Sequence, residues 1–498
     1  MDLDPDACYR AIESRDRRFD GRLFTGVKTT GVYCRPICPA QTPKRRNVDF
    51  FPTAAAAQAA GFRPCLRCRP ETSPDLGAWR GVSNTVSRAL TLIEAGALDA
   101  GDVGELAGRL GVGERQLRRL FQDHLGASPV AVAQTRRVLL AKQLIHDTCL
   151  PMTEVAFAAG FGSVRRFNET FQQLYGRPPG DLRRASRAEA SGAGGVLTLR
   201  LPYRPPYDWP AQLAFLAARA IPGVERVEGD SYARSLTLDG AQGAIRVRPA
   251  EGDALLAEIR LPRLTALPAV IARIRRVFDL AADPVAIAAH LSRDPRLAPL
   301  VAARPGLRVP GAWDGFELGV RAILGQQITV AAARNLAGRL AATHGAPMSD
   351  PWVLDIGLTH AFPAPDVIAA ADLSGLPMPR ARSLSLETLA RALIADPGLL
   401  SGGRELDHAV ADLRRLPGVG EWTAQYIAMR QLREPDAFPA GDVALRKAMA
   451  DPSGVRPSSA ELLAAAEAWR PWRAYAAAHL WTSLAPAQTE TDDGRRAA

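Results

Sequence analysis

Two groups of residues are of types and spacings that do chemistry. Cys34, Cys38, Cys65 and Cys68 read Cys-x3-Cys, a long loop, then Cys-x2-Cys. Each short pair can grip one side of a tetrahedral ion while the loop folds between them. Four thiolates favour Zn2+, a single ion, over hard oxygen-seeking cations, and without redox chemistry of its own zinc holds sulfur as a reactive anion. No iron-sulfur cluster is expected, because the chain lacks further cysteines at ferredoxin-like spacings. Nor is this a hydrolytic zinc, since four sulfurs leave no position for water. The alternative that stays open is an inert zinc that merely folds a small knob. The second group is Asp442, upstream of a helical pattern and about 20 residues past Trp422. Just before Trp422 lies LPGVG, whose Gly418 and Gly420 would let backbone amides approach a phosphate at the start of the next helix. Taken singly, LPGVG is also what an ordinary helix connection looks like, and Asp442 is what a helix N-cap looks like.

Charge gives both groups a partner. Lys and Arg number 62 against 52 Asp and Glu, a formal charge of +10, which suits a polyanion whose counterions are released on binding. Arg35, Lys44, Arg45, Arg46, Arg63, Arg67 and Arg69 crowd the cysteines and could seat a DNA backbone beside a nucleophilic sulfur. No apolar run approaches the ~20 residues of a membrane span, and no membrane association is expected. The first residues lack the apolar core of a secretory signal, so a cytoplasmic, reducing location is expected. There the six cysteines are ligands or nucleophiles before they are disulfides. Cys8 and Cys149 fall outside the pattern and read as packing residues.

A chain of 498 residues exceeds one core, which stops growing near ~250 to 300 residues. A stripe of Val103, Leu106, Ala107 and Leu110 ends at Gly111 and is followed by Leu117, Leu120 and Phe121, a helix-turn-helix pattern. About 50 residues on it recurs as Val155, Ala156 and Ala159, a turn at Gly160, then Val164, Phe167, Phe171 and Leu174. The second helices leave Arg115, Gln116, Arg118 and Arg119 in one unit and Arg165, Arg166 and Asn168 in the other for phosphate or major-groove contacts. Two plain helical hairpins with charged faces would read the same way. Ala185 to Gly195 is a small-residue linker, Pro70 to Ala78 a second junction, and the polar tail from Pro486 is expected to be disordered. Alternation at Val196 to Leu201, Leu236 to Leu238 and Ala244 to Val247 predicts short strands among helices, with helix alone dominating from Leu307. The expected domains are therefore 1–76, 77–185, 196–306 and 307–486.

Longer words carry family resemblances. TTGVYCRPIC and AAGFRPCLRC resemble the amino-terminal domain of the Ada methylation-response proteins, and ASPVAVAQTRRVLLAKQLI with AFAAGFGSVRRFNETFQQLYGRPPGDLRR resembles the AraC-type module that follows it there. PPYDWPAQLAFLAARAIPGVE, YARSL, AARPGLRVPG, VRAILGQQITVAAA, LPGVGEWTAQYIAMR and PWRAYAAAHLW resemble, in order and across nearly all of 196–485, the AlkA glycosylases of the helix-hairpin-helix superfamily. No Pro-Cys-His-Arg word is present, so the methylguanine-repair domain of Ada is expected to be replaced by the glycosylase. The resemblances imply a multidomain, mainly α protein: a small zinc-bound α/β domain, a paired helix-turn-helix, an α+β amino-terminal glycosylase domain and an all-α helix-hairpin-helix domain.

They also imply roles. Cys34 would take a methyl group from a DNA methylphosphotriester, cancelling one negative charge of a tetrathiolate centre whose formal charge is about −2 and easing its repulsion from phosphates. Asp442 would stabilise the oxocarbenium-like sugar left as an alkylated base departs. Gly418, Gly420 and Thr423 would grip the backbone. Trp422, Tyr426, Trp481 and Phe215 would line an aromatic pocket for an electron-poor base, although Phe215 reads equally well as core. Related lyases carry a lysine where Trp422 stands, and an indole cannot form their Schiff base, so a monofunctional enzyme leaving an abasic site is expected. Two departures from the pattern are Val443, in place of a tyrosine, and Gln327, in place of the leucine that wedges into the duplex. The expected partners are double-stranded DNA and, for a regulator of this type, RNA polymerase; a monomer is expected. A competing reading keeps the regulator and makes the glycosylase-like half a non-catalytic DNA-docking platform.

Overall fold

A computed structural model describes residues 4–74, 84–183, 195–238, 240–400 and 405–484. Most of the linker, residues 75–78 of the Pro70 to Ala78 junction, and the tail from Pro486 lie outside the described residues.

The amino-terminal unit is built on a four-stranded sheet in the order β3-β1-β2-β4, with β1 Phe24–Val27, β2 Val32–Cys34, β3 Val48–Phe51 and β4 Arg63–Pro64. Only β2 and β4 run parallel. Their common direction brings the end of β2, Cys34, beside Cys65, whose amide donates to the Tyr33 carbonyl at 3.0 Å. The apolar core here is small: Phe24, Tyr33 and Ala57 form one buried cluster and Cys8, Ala11, Ile12 and Leu23 another.

Both helix-turn-helix units form where periodicity predicts them. Helices Val103–Arg109 and Glu114–Leu125 make the first, Met152–Ala158 and Val164–Tyr175 the second. Asp102 and Ser163 cap the first helix of one and the second helix of the other through the amides of Glu105 and Arg166. Gly111 at φ +69° and Gly160 at φ +89° make the turns, a backbone region open to residues without a Cβ. The 19-residue helix Pro129–Asp147 joins the units.

The second half opens on an antiparallel sheet in the order β5-β9-β8-β7-β6: β5 Val196–Pro202, β6 Glu225–Glu228, β7 Ser231–Leu238, β8 Ala241–Ala250 and β9 Ala254–Arg260. The strands expected at 236–238 and 244–247 are parts of β7 and β8, which run 8 and 10 residues. From Leu267 the described chain is helical apart from turns, loops and one isolated bridge. One hydrophobic cluster spans the linker, joining Val138, Leu144, Phe161, Phe167 and Phe171 of the regulator to Leu199, Ile245, Ile259 and Phe278. Among the described residues no helix is long and apolar enough to cross a membrane.

A buried ionic cluster stiffens the seam between sheet and helices. Glu317 meets Arg234 at 2.7 Å and Arg321 at 2.7 Å, and Glu225 pairs with Arg321 as well. Burial alone would raise the Glu317 carboxyl, but the charges of Arg234 and Arg321 outweigh it and hold it near about 2. A depressed carboxylate contributes stability above its unfolded value and loses it as pH falls through the folded one. Between roughly pH 5 and pH 2 the second half should therefore lose on the order of 3 kcal/mol from Glu317. Urea midpoints of native protein and Glu317→Gln check this: the native midpoint should drop more steeply over that window, and parallel profiles would contradict it.

Candidate active site and metal centre

The four predicted cysteines converge. Their sulfurs all lie within 4.8 Å of one another, against ~3.8 Å between ligands of a tetrahedral zinc with Zn–S bonds of ~2.3 Å. Four thiolates this close repel unless a cation neutralises them, and the set fits Zn2+. Cys65 and Cys68 are buried, whereas Cys34 and Cys38 are partly exposed. The amides of Arg35 and Arg67 donate to the Cys68 and Cys65 sulfurs, each at 3.3 Å. Lys142, from the regulator's long helix, is fully buried and donates to the Cys65 carbonyl at 2.9 Å and to Glu71 at 2.5 Å.

The basic residues around the centre divide. Arg45, Arg46 and Arg67 are exposed, as a phosphate-facing surface requires. Arg35 corrects its expected role. Its guanidinium turns inward to the buried carboxylate of Asp20 and to Thr72 Oγ1 at 2.7 Å, which makes it a brace for the ligand loop. Arg69 is likewise held by Glu71 and Asp147. On the regulator, Arg115, Arg118, Arg119, Arg165 and Arg166 are all exposed on the second helices. Arg118 leans on Glu114 and Arg165 on Glu169, one turn away, both as exposed pairs.

In the second half a cavity of about 670 Å³ is lined by Phe215, Trp422, Tyr426, Asp442 and Trp481. Asp442 is an N-cap and more than an N-cap. Its Oδ1 accepts from the amides of Ala444 and Leu445 at 2.8 and 2.9 Å. The two indoles of the cavity complete its shell, Trp481 Nε1 to Oδ1 at 3.1 Å and Trp422 Nε1 to Oδ2 at 2.7 Å. The capping and cavity-facing roles that compete in the sequence coexist in one side chain. Trp422 and Tyr426 stack with centroids 5.1 Å apart and planes at 10°, and Trp481 stands against Tyr426 at 69°.

Two cavity-lining arginines escaped sequence reasoning. Arg219 lies over the Phe215 ring at 3.8 Å and Arg430 at 4.8 Å, so Phe215 packs against guanidinium at the cavity wall. Arg430 also donates to the Tyr426 hydroxyl at 2.7 Å and to the Pro310 and Gly311 carbonyls. Burial alone would raise the Tyr426 phenol, yet the charges of Arg430 and Arg219 outweigh it and lower it. A signal existed: each arginine follows its aromatic by four residues, one helical turn on the same face. Arg430 sits in a π-helical stretch, Ala428–Leu432, an irregularity frequent at functional sites.

The hairpin is the turn between helices Leu406–Arg414 and Glu421–Ile427. Gly418 takes φ +84° and a Cβ there would meet Ser385 Oγ at 2.3 Å. Gly418 and Gly420 are exposed. Thr423 corrects its expected DNA contact: it is 2% exposed, and its hydroxyl faces Gln326 Nε2 at 3.3 Å. Gln326 also donates to the Gly418 carbonyl at 2.7 Å, pinning the next residue, Gln327, which is exposed and held at φ +61°.

A sulfur-lined metal centre and a paired helix-turn-helix on one side, and on the other a helical hairpin beside an aromatic cavity with an embedded carboxylate, define a DNA-repair fusion of a methylation-sensing regulator with a helix-hairpin-helix glycosylase. Residues 7–71 match the metal binding domain of Ada, 106–185 a helix-turn-helix domain and 198–314 the AlkA N-terminal domain. The chain is 44% identical over 487 residues, 97% of both chains, to a probable bifunctional transcriptional activator/DNA repair enzyme AlkA of Mycobacterium tuberculosis (strain CDC 1551 / Oshkosh). Over 289 residues, 56% of this chain and 95% of the relative, it is 37% identical to DNA-3-methyladenine glycosylase 2 of Escherichia coli (strain K12). The 3-methyladenine DNA-glycosylase from Archaeoglobus fulgidus shares the fold, at TM-score 0.51 and 22% identity over 57% of this chain and 99% of that one. The chain belongs to the family of AlkA-type bifunctional transcriptional activator/DNA repair enzymes. It carries one tetrathiolate zinc, and double-stranded DNA is its partner.

Proposed function

We propose that this chain excises alkylated bases, of the 3-methyladenine type, by hydrolysing the N-glycosidic bond and leaving an abasic site, and that Cys34 accepts a methyl group from a DNA methylphosphotriester. The observation that carries the excision reading is the Asp442 carboxylate, fixed by two indoles and two amides in the wall of an aromatic cavity. An alkylated purine already bears positive charge and leaves with little acid assistance. Positive charge then develops on the deoxyribose, and a fixed anion in a site poor in water stabilises it. Trp422, Tyr426 and Trp481 supply faces for the departing base, and Oδ2, with a single protein donor, keeps a lone pair for water.

In the other half, bound zinc keeps the sulfurs in thiolate form at neutral pH. Cys34 Sγ forms a bond to the methyl carbon, the methyl C–O bond breaks, and the electron pair leaves with the phosphodiester oxygen. Partial exposure of Cys34 and Cys38 beside the buried Cys65 and Cys68 narrows the acceptor to these two, and the resemblance of TTGVYCRPIC to the Ada pattern favours Cys34, with Arg45, Arg46 and Arg67 seating the phosphate. We place the domains at 1–76, 77–185, 196–306 and 307–486 and the protein in the cytoplasm, as a monomer that signals through RNA polymerase.

The test is release of modified bases from methylated duplex DNA by the native protein, with the strand intact until alkali is added. No released base would defeat the excision reading in favour of a docking platform; strand cleavage without alkali would defeat the monofunctional one. Gln327, exposed on a pinned left-handed backbone, fills the vacated stack. Gln327→Ala should weaken binding to abasic-site duplex about three- to tenfold by fluorescence anisotropy, a change of ~1 kcal/mol, and unchanged affinity would discard that role.

A further inference from the structure

The linker after residue 184 suggests two halves on a leash, but the contacts between them are those of a built interface. The hydrophobic cluster runs without a break from the second helix-turn-helix unit into the β5–β9 sheet. Gln143 Nε2 donates to the Arg200 carbonyl of β5 at 2.9 Å. Two buried ionic ties flank this shared core. Asp283 is met by Arg22 of the zinc unit and by Arg204 of the glycosylase half, and Arg204 also donates to the Asp20 carbonyl at 2.7 Å. On the regulator's first helix, Asn84–Glu94, Arg88 pairs with Glu434 at 3.2 Å, their side chains 8% and 9% exposed. Along the chain Glu434 lies four residues past Arg430 and Arg204 eleven before Phe215, so the sensor-regulator half holds two of the several segments that supply the cavity wall.

We propose that the sensor-regulator half carries a dedicated docking surface for the glycosylase half of the same chain, and that Arg88 is a positioning residue for the base cavity, acting through Glu434. The shared apolar core supplies the adhesion; the ion pairs fix the register, since charges removed from water tolerate only one arrangement. The helix-turn-helix and the hairpin then meet DNA in one fixed relation, and the linker sets none of that geometry.

The full chain with a protease site inserted within 184–194 tests this. After complete cleavage at micromolar concentration the two fragments should elute together from a sizing column, and their separation would overturn the proposal. This readout does not depend on the excision reading, so each can fail alone. Arg88→Glu sets two carboxylates face to face in a nearly dry site. It should weaken association of the cleaved fragments about tenfold or more and lower kcat/KM for base release in the uncleaved chain by a similar factor. The double reversal Arg88→Glu with Glu434→Arg should bring both back to within about threefold. Single and double variants that behave alike, or a single variant with unchanged association and kcat/KM, would sink the positioning role.

Discussion

Asp442→Asn should lower the rate of base release by about 10²–10³-fold, the loss typical when one preorganised electrostatic group aimed at a developing charge is removed. The variant keeps the cap, because an amide oxygen can still accept from Ala444 and Leu445. It loses the anion, and with the cap kept its amide hydrogens face the Trp422 indole N–H, a mismatch costing about 1–3 kcal/mol. A single-turnover assay with a parallel melting curve separates the two effects: a large fall in rate with only a modest fall in melting temperature is expected. A variant within threefold of native activity would mean that Asp442 is a cap and nothing more.

Cys65→Ser should abolish zinc binding and with it the fold of the ligand loops. The unit's own apolar core is small, its buried clusters containing only a handful of apolar side chains, while a structural zinc supplies about 10–16 kcal/mol in small domains. Elemental analysis should fall from one zinc per chain to none, and incubation with methylated DNA should no longer add a methyl group by mass spectrometry. Cys34→Ala should abolish the methyl gain too. Base release should persist in Cys34→Ala, because among the described residues none of the zinc unit lines the aromatic cavity. Zinc retained by Cys65→Ser would refute the tetrathiolate assignment.

Much of this was legible in the residues. Cysteine spacing named the metal centre because tetrahedral coordination demands close pairs, and parallel pairing of β2 with β4 is the long-range device that joins them. The helix-turn-helix stripes were readable because a 3.6-residue period survives in a short window. Strand β9 was not: Ala254–Arg260 reads ALLAEIR, without clean alternation, and only its place between β5 and β8 decides it. Arg35 and Thr423 look like DNA contacts in one dimension, because nothing local reveals that Asp20 and Gln326 claim them. Arg219 and Arg430 were passed over because charged residues on helices usually face solvent. The shared core lay beyond reach, since Phe171 and Ile245 belong to one buried cluster across a stretch of sequence that says only that the chain can bend.

The hydrogen bonds that clasp Asp442 leave that side chain nowhere to go. An immobile acid cannot travel to its substrate, so the nucleotide must make the whole journey. Damage that loosens pairing or stacking shortens that journey, so a protein working as proposed would sort injured from sound nucleotides partly by how readily each one falls out of the helix.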